Sequence, residues 1–384
     1  MSESTLPRSA GIDMLRGASI LLVVVHHLGL RIPLHKTQAA SVLPIPLLKG
    51  LVYNGYEAVF IFFVISGFLI TRHTLRRDGT LGAIDWRAFY ARRAARILPC
   101  LLALVAVLLI LHALAVPNYV IQRSGQSALG ATASALTFTL NLYEGRTGWL
   151  PGGWDVLWSL SIEEVFYAAF PLVCMSLGRT RWLVPLLGVL VVSVPFTRAA
   201  IVGNEIWQEK AYLPGMGAIA AGVLAALAAA RWPDDQRAGS SVVPWRRRAL
   251  AFSGLAATGV VMFCGAPLWH AIGEGYLLVL VLGAVCLVLA SSEGGQSWRG
   301  FGWLGAMGRA SYEIYLTHMF VVFTLVGLAR LSATDQAWGW IWYPPVVLLS
   351  WALGRLVASG FSEPANRWLR SRLNARRVAI RATV

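Results

Sequence analysis

The chain has 384 residues, of which 57% are hydrophobic and 13% charged. Because a soluble domain carries about 25% charged residues, this composition excludes an ordinary soluble enzyme and predicts an all-α, polytopic membrane protein. The formal net charge of +15 does not indicate a nucleic-acid partner, since the arginines are concentrated between apolar runs, as the positive-inside rule predicts.

The first apolar segment, residues 12–30, carries ionisable side chains at membrane depth. Such groups are costly inside a bilayer and indicate a function by default. Arg16 and His27 are eleven residues apart, close to three helical turns, so both project from one face, about 16 Å apart along the axis. Asp13 falls on the same side one turn earlier, whereas His26 points about 100° away from His27. The segment lacks a small-residue cleavage site, so it is interpreted as a retained helix.

A single domain, residues 1–384, is predicted to cross the membrane about ten times. The ten apolar segments are 12–30, 52–70, 97–116, 155–176, 182–200, 211–230, 249–267, 274–291, 303–330 and 341–361. An eleventh, 126–143, is rich in Ser, Thr and Gly and is the weakest candidate. If it does not cross, the basic segments 71–96, 231–248 and 362–384 fall on one face, which then holds 22 of the 33 lysines and arginines against six on the other. Both termini are therefore expected in the cytoplasm, with the tail on the inner leaflet.

Two features of the second span and its loop have competing interpretations. Ser66 and Gly67 form either a helix-packing notch or part of a site. Arg92, Arg93 and Arg96 follow at the start of the third span, with Arg93 and Arg96 on one helix face. Guanidinium groups at that spacing suit a phosphate, but a topogenic cluster that contacts lipid headgroups explains the charge equally.

The fourth span carries two adjacent carboxylates, Glu163 and Glu164, about 12 Å from its outer end. His27 also lies in the outer half of its own span, so an imidazole and a carboxylate are expected at similar depth. That arrangement would orient a general base and stabilise its charge.

The ninth span has a polar stripe that contains Tyr312, Glu313, Tyr315 and His318. A lone histidine in such a helix is either an interhelical hydrogen-bond partner or a ligand. The four cysteines are scattered without a CxxC pair, so we expect no metal site.

Six motifs in order resemble the acyltransferase-3 family, the bacterial inner-membrane O-acyltransferases. They are GIDMLRGASILLVVVHH (11–27), FFVISGFLIT (62–71), FYARRAARILP (89–99), WSLSIEEVFY (158–167), SYEIYLTH (311–318) and FSEPANRWLR (361–370). The resemblance implies ten spans and cytoplasmic termini, an acyl-CoA donor, usually acetyl-CoA, and no permanently bound cofactor. It further implies a sugar-hydroxyl acceptor, such as O-antigen, exopolysaccharide, Nod factor or a macrolide.

By that resemblance His27 matches the catalytic histidine, Arg16 its motif partner and Glu163 the acidic residue of its motif. Arg93 and Arg96 match the pair associated with the CoA nucleotide, and Arg92 adjoins them. Many members have Asp or Gln where this chain has Phe60, so acceptor preference is expected to differ if that position touches substrate.

Two other classes of protein are alternatives to an acyltransferase. A proton-coupled glycan exporter needs Arg, His and Glu in a relay, but the chain has no inverted repeat and no matched pair of broken helices. A scaffold for polysaccharide synthesis would leave Arg16 and His27 dispensable. Some family members carry a further C-terminal domain, and without one the membrane unit is expected to complete the transfer.

Overall fold

The computed structural model describes residues 9–232, 245–292 and 300–382, and side chains as far as residue 373. This part of the chain is helical, which confirms the predicted all-α class. The predictions for residues 1–8 and for most of the basic segment 231–248 lie outside the described residues.

Eighteen α-helices follow one another in the described ranges. The first nine are α1 Ala10–Gly29, α2 Ala39–Val42, α3 Ile45–Val52, α4 Gly55–Asp78, α5 Trp86–Ala113, α6 Ala128–Leu136, α7 Leu140–Thr147, α8 Gly152–Asp155 and α9 Trp158–Leu177. The next nine are α10 Leu183–Ala199, α11 Glu205–Lys210, α12 Tyr212–Ala229, α13 Trp245–Ile272, α14 Gly275–Ser292, α15 Gly302–Arg309, α16 Ser311–Leu331, α17 Tyr343–Val357 and α18 Glu363–Ala382. Short 3₁₀ turns lie at Leu34–Lys36, Leu81–Ala83 and Gln336–Trp342, and a π-helical turn lies at Ala358–Ser362.

Within the described ranges, nine helical stretches are long and apolar enough to cross a membrane, and they match nine of the predicted spans. The tenth prediction, 182–200, corresponds to the shorter apolar helix α10, which has 17 residues. The polytopic architecture is thereby confirmed, whereas the side on which the termini lie stays a prediction.

The doubtful segment 126–143 folds as two short helices, α6 and α7, of nine and eight residues. Phe138, which lies between them, has a φ of +57°. This left-handed conformation stops a helix, because it places Cβ against the following carbonyl oxygen. Neither helix is long enough to span a bilayer, which agrees with the ten-span interpretation.

Two helices have bounds that differ from those of the apolar segments. Helix α5 begins at Trp86, before the apolar segment 97–116, because Asp85 caps it by accepting a hydrogen bond from the Ala88 amide at 2.9 Å. The segment 303–330 is divided at Ala310, whose φ of −102° and ψ of 13° separate α15 from α16. The early start of α5 places the arginine cluster in a helix that continues into the apolar bundle.

Helices α1 and α4 pack at the centre of the bundle, α1 against α4, α15 and α16, and α4 against α12 and α14. Glycines allow the closest of these contacts. A Cβ on Gly67 would lie 1.9 Å from the carbonyl oxygen of Ile219, and one on Gly222 would lie 2.0 Å from that of Val64. The packing interpretation of the Ser66–Gly67 notch is therefore confirmed for Gly67.

Candidate active site

The polar side chains of the bundle lie in two layers. The arginine layer comprises Arg16, Arg93, Arg96, Glu163, Glu164 and Glu313, and the histidine layer comprises His27, His318 and Tyr315. Helix α1 runs through both layers. Since eleven residues of this helix separate Arg16 from His27, the two layers lie about 16 Å apart.

In the arginine layer, Arg93 joins α5 to α9. Its Nη2 donates to Oε1 of Glu164 at 3.0 Å, and its guanidinium lies 3.7 Å from the centre of the Tyr167 ring. Arg93 lies seven residues into α5, about 10 Å along the axis, so this ion pair is part of the helix packing.

Arg96, one turn further along α5, forms a corresponding pair with α16. Its Nη1 lies 2.8 Å from Oε1 of Glu313, a carboxylate that is buried. Ser362 donates to the same oxygen at 2.6 Å and accepts from Arg96 at 3.3 Å. The π-helical turn brings Ser362 to this position, and the only signal for it in the sequence is its place in the last family motif.

The Arg93 and Arg96 side chains are each 28% exposed, so both are partly accessible. A guanidinium has five N–H donors, so one carboxylate does not saturate it. The Nε of Arg93 has no hydrogen-bond partner among the described residues. Arg92 is partly buried beside them, and the arrangement can therefore accept an anionic group.

Glu163 also belongs to this layer. Its Oε2 accepts hydrogen bonds from the hydroxyls of Ser66 and Tyr167, both at 3.2 Å. Arg16 lies within electrostatic range of the same carboxylate. Ser66 thus has a polar role in addition to the neighbouring packing contact, and Tyr167 is a participant that the sequence reading missed.

In the histidine layer, His27 lies beside His318, with the ring centres 5.0 Å apart. His27 is half-buried, and its backbone carbonyl accepts a hydrogen bond from Arg31 at 2.7 Å. His26 turns elsewhere, as predicted, with Nδ1 3.2 Å from the carbonyl oxygen of Val52. The layer therefore contains one half-buried histidine beside one buried histidine.

The Tyr315 hydroxyl joins the histidine layer to the start of α9. Its hydroxyl lies 2.7 Å from Ser159 Oγ and donates to the carbonyl of Val156 at 2.8 Å. Glu163 lies one turn beyond Ser159, in the direction of the arginine layer. The neighbour that the structure gives His27 is His318, whereas Glu163 is hydrogen bonded to Ser66 and Tyr167. The pairing of Glu163 with His27 stays a prediction.

Asp13 lies near the start of α1, where its carbonyl oxygen packs against Gly308 of α15. A Cβ at Gly308 would lie 1.8 Å from that oxygen, so the backbones of α1 and α15 touch. Asp13 is thus placed at a helix contact, next to the turn that carries Arg16.

An all-helical bundle with nine helices long enough to span a bilayer, within the described ranges, defines a polytopic membrane protein. A family model described as an acyltransferase domain matches residues 9–359. The chain belongs to this family, the acyltransferase-3 family.

Curated relatives agree with this assignment. The O-acetyltransferase OatA of Staphylococcus aureus strain NCTC 8325 / PS 47 is 31% identical over 166 residues, which are 42% of this chain and 24% of the relative. The protein of the same name in strain COL has the same identity and coverage. The chain thus matches about a quarter of the length of these relatives. No solved structure matches the chain.

Proposed function

We propose that the protein transfers an acyl group, in the first instance acetyl, from acyl-CoA to a hydroxyl of a glycan or glycosylated small molecule. The observation that carries this proposal is the half-buried residue His27, held inside the bundle beside His318 on the helix that also carries Arg16. An imidazole that is reachable but enclosed suits a general base on an alcohol. The proposed location is the bacterial inner membrane.

The donor binds at the arginine layer. The phosphates of CoA bind the partly accessible Arg93 and Arg96, with Arg92 beside them, because planar guanidinium groups bind phosphate bidentately. Arg16, within range of Glu163, guides the anionic donor. The extended pantetheine arm then covers the distance of about 16 Å to the histidine layer.

The acceptor enters from the other end of the bundle. A cavity of about 320 Å³ is lined there by Arg31, Arg330, Asp335 and Trp342, among others. Arg31 links this cavity to the site, since it donates to the His27 carbonyl. Arg31 is a partly buried cation, so an electron-rich oxygen beside it would be stabilised. Cation, carboxylate and indole together suit a sugar ring with several hydroxyls.

In the reaction, His27 removes the proton of the acceptor hydroxyl as its oxygen attacks the thioester carbonyl. The carbon–sulfur bond breaks, and the CoA thiolate leaves and takes up the proton from the imidazolium. The products are an ester on the acceptor and free CoA thiol, so a thiol assay follows the reaction directly.

The test uses the purified chain in detergent with acetyl-CoA and a glycan acceptor. Wild-type protein should release CoA thiol in an acceptor-dependent manner, and His27→Ala should reduce that rate by 10²- to 10⁴-fold, the usual contribution of a general base. His26→Ala is the matched control, because His26 contacts the Val52 carbonyl, and it should keep most of the activity.

Near-normal release by a folded His27→Ala variant would contradict the proposed base. Absence of any thiol release by the wild type across glycan acceptors would instead favour the proton-coupled exporter. If the Arg16 and His27 side chains can both be replaced without loss of function, a scaffold would be favoured.

A further inference from the structure

His318 is fully buried at the centre of α16, and half of its hydrogen-bonding capacity is unused. Its Nδ1 lies 2.8 Å from the carbonyl oxygen of Tyr315 and 3.2 Å from that of Ile314. Its Nε2 has no hydrogen-bond partner within the described part of the chain. A buried polar atom without a partner is uncommon in folded proteins and calls for an explanation.

The two carbonyl contacts determine which nitrogen of His318 carries the proton. A carbonyl oxygen can only accept, so Nδ1 must be the N–H donor. In the neutral ring the other nitrogen is then an acceptor. The unpaired Nε2 therefore presents a lone pair and requires an N–H or O–H group.

The group best placed to donate is the ring of His27. Its centre lies 5.0 Å from that of His318 at an interplanar angle of 42°, so a small rotation brings two nitrogens to hydrogen-bonding distance. The Tyr315 hydroxyl does not compete, because Val156 and Ser159 hold it.

The charges around the pair keep His318 in this acceptor role. The titratable groups that face it are His26 and His27 on α1, Arg31 beyond α1, Tyr315 on its own helix, and Lys210 on α11 through its effect on His27. Arg31 and Lys210 are cationic, so they disfavour a protonated His318 at this buried site when His27 is already protonated. At most one proton beyond the neutral state is then shared by the two rings.

We propose that His318 is the positioning residue for His27, a role that rests on the proposed acyl transfer. Its Nε2 accepts the ring N–H of His27, which directs the other His27 nitrogen at the acceptor hydroxyl. When His27 takes the hydroxyl proton, the same hydrogen bond becomes charge-assisted and stabilises the imidazolium. A second imidazole thus does the work that sequence reasoning gave to Glu163.

The test compares His318→Leu with His318→Gln. Leucine fills the space without an acceptor, and it should lower kcat by 10- to 100-fold with little change in the KM for acetyl-CoA. Glutamine offers a carbonyl oxygen at similar reach and should restore most of that loss. His26→Leu is the comparison variant: it removes the other imidazole beside His27, whose ring centre lies 5.4 Å away and whose Nδ1 contacts the Val52 carbonyl, and it should lower kcat less than His318→Leu.

The pH profile separates positioning from a structural role. Without the acceptor the imidazolium of His27 is less stabilised, so the acid limb of kcat/KM should move to lower pH in His318→Leu. A purely structural role would lower the amount of folded protein and leave the limb where it is. If His318→Leu does not fold, His318→Phe is used in its place, because phenylalanine roughly preserves the volume of the imidazole ring.

Full kcat and an unchanged pH profile in a folded His318→Leu or His318→Phe variant would overturn the proposal. So would a folded glutamine variant as impaired as leucine. In either case an inactive His27→Ala variant would leave the proposed acyl transfer standing, which distinguishes the two failures.

Discussion

At the scale of single residues, the sequence predicts how side chains are spaced along one helix but not which side chains pair between helices. Arg16 and His27 share a face because eleven residues close three turns, whatever surrounds α1. The pairs Arg93–Glu164 and Arg96–Glu313 depend instead on how α5 is rotated against α9 and α16. No local pattern encodes that rotation.

The two arginines also show why charge alone left two interpretations open. Each neutralises a buried carboxylate and is partly accessible, so each has a packing role and a possible phosphate role. Replacing either arginine by an uncharged residue would mix the two effects, because it leaves a buried carboxylate without its partner. That loss costs about 3–5 kcal/mol of stability.

Arg96→Lys separates them. The ammonium still neutralises Glu313, so the melting temperature should change little, while the planar fork for phosphate is lost. We expect the KM for acetyl-CoA to rise about tenfold, equivalent to about 1.4 kcal/mol, with kcat less affected. Initial-rate kinetics with varied acetyl-CoA measure this.

Arg87→Lys is the control for that substitution, because Arg87 is an exposed residue near the start of the same helix. It should leave KM unchanged. An equal KM in Arg96→Lys and wild type would exclude Arg96 from donor binding.

At the scale of helices, hydropathy predicted where the chain crosses, and local backbone chemistry determined where helices begin and break. The start of α5 at Trp86 follows from the Asp85 cap, which lies outside the apolar run and so outside any hydropathy window. The break at Ala310 lies inside an apolar run, so hydropathy does not change there and does not indicate the break.

The α4–α12 contact is set by Gly67 and Gly222. A methyl group at Gly222 would lie 2.0 Å from the Val64 carbonyl oxygen, and this oxygen is backbone and cannot rotate away. Gly222→Ala should therefore lower the free energy of unfolding by about 1–3 kcal/mol, the usual cost of overpacking. Thermal unfolding in detergent measures it.

Gly188→Ala provides the comparison, because no atom lies within 4 Å of a Cβ at Gly188. There the higher helix propensity of alanine should leave stability unchanged or raise it by up to about 1 kcal/mol. Equal melting temperatures for the two variants would show that the helices separate readily at Gly222.

At the scale of the whole molecule, a buried charge cluster ties together the short helices between α5 and α12. Nζ of Lys210 lies 2.8 Å from Oε2 of Glu144, contacts Asp155 and stacks over Trp149 at 4.0 Å. Lys210 and Glu144 are 2% and 0% exposed, so both charges depend on each other. No motif in the sequence points to this cluster, because its members are scattered over 66 positions.

Lys210→Met tests this cluster and its importance for the site. It leaves Glu144 buried without a cation, so we expect the free energy of unfolding to fall by about 3–5 kcal/mol. Thiol release should fall together with the folded fraction of the protein. Melting temperature and thiol release in the same preparation are the measurements.

Two further variants show whether the buried pair is the cause. Lys49→Met makes the same substitution at an exposed residue of α3 and should be silent. Lys210→Met combined with Glu144→Gln removes both charges, so it should recover part of the lost stability, since an uncompensated buried charge costs more than a neutral pair. If the double variant is less stable than Lys210→Met alone, the two charges act independently, and the short helices are held by apolar packing instead.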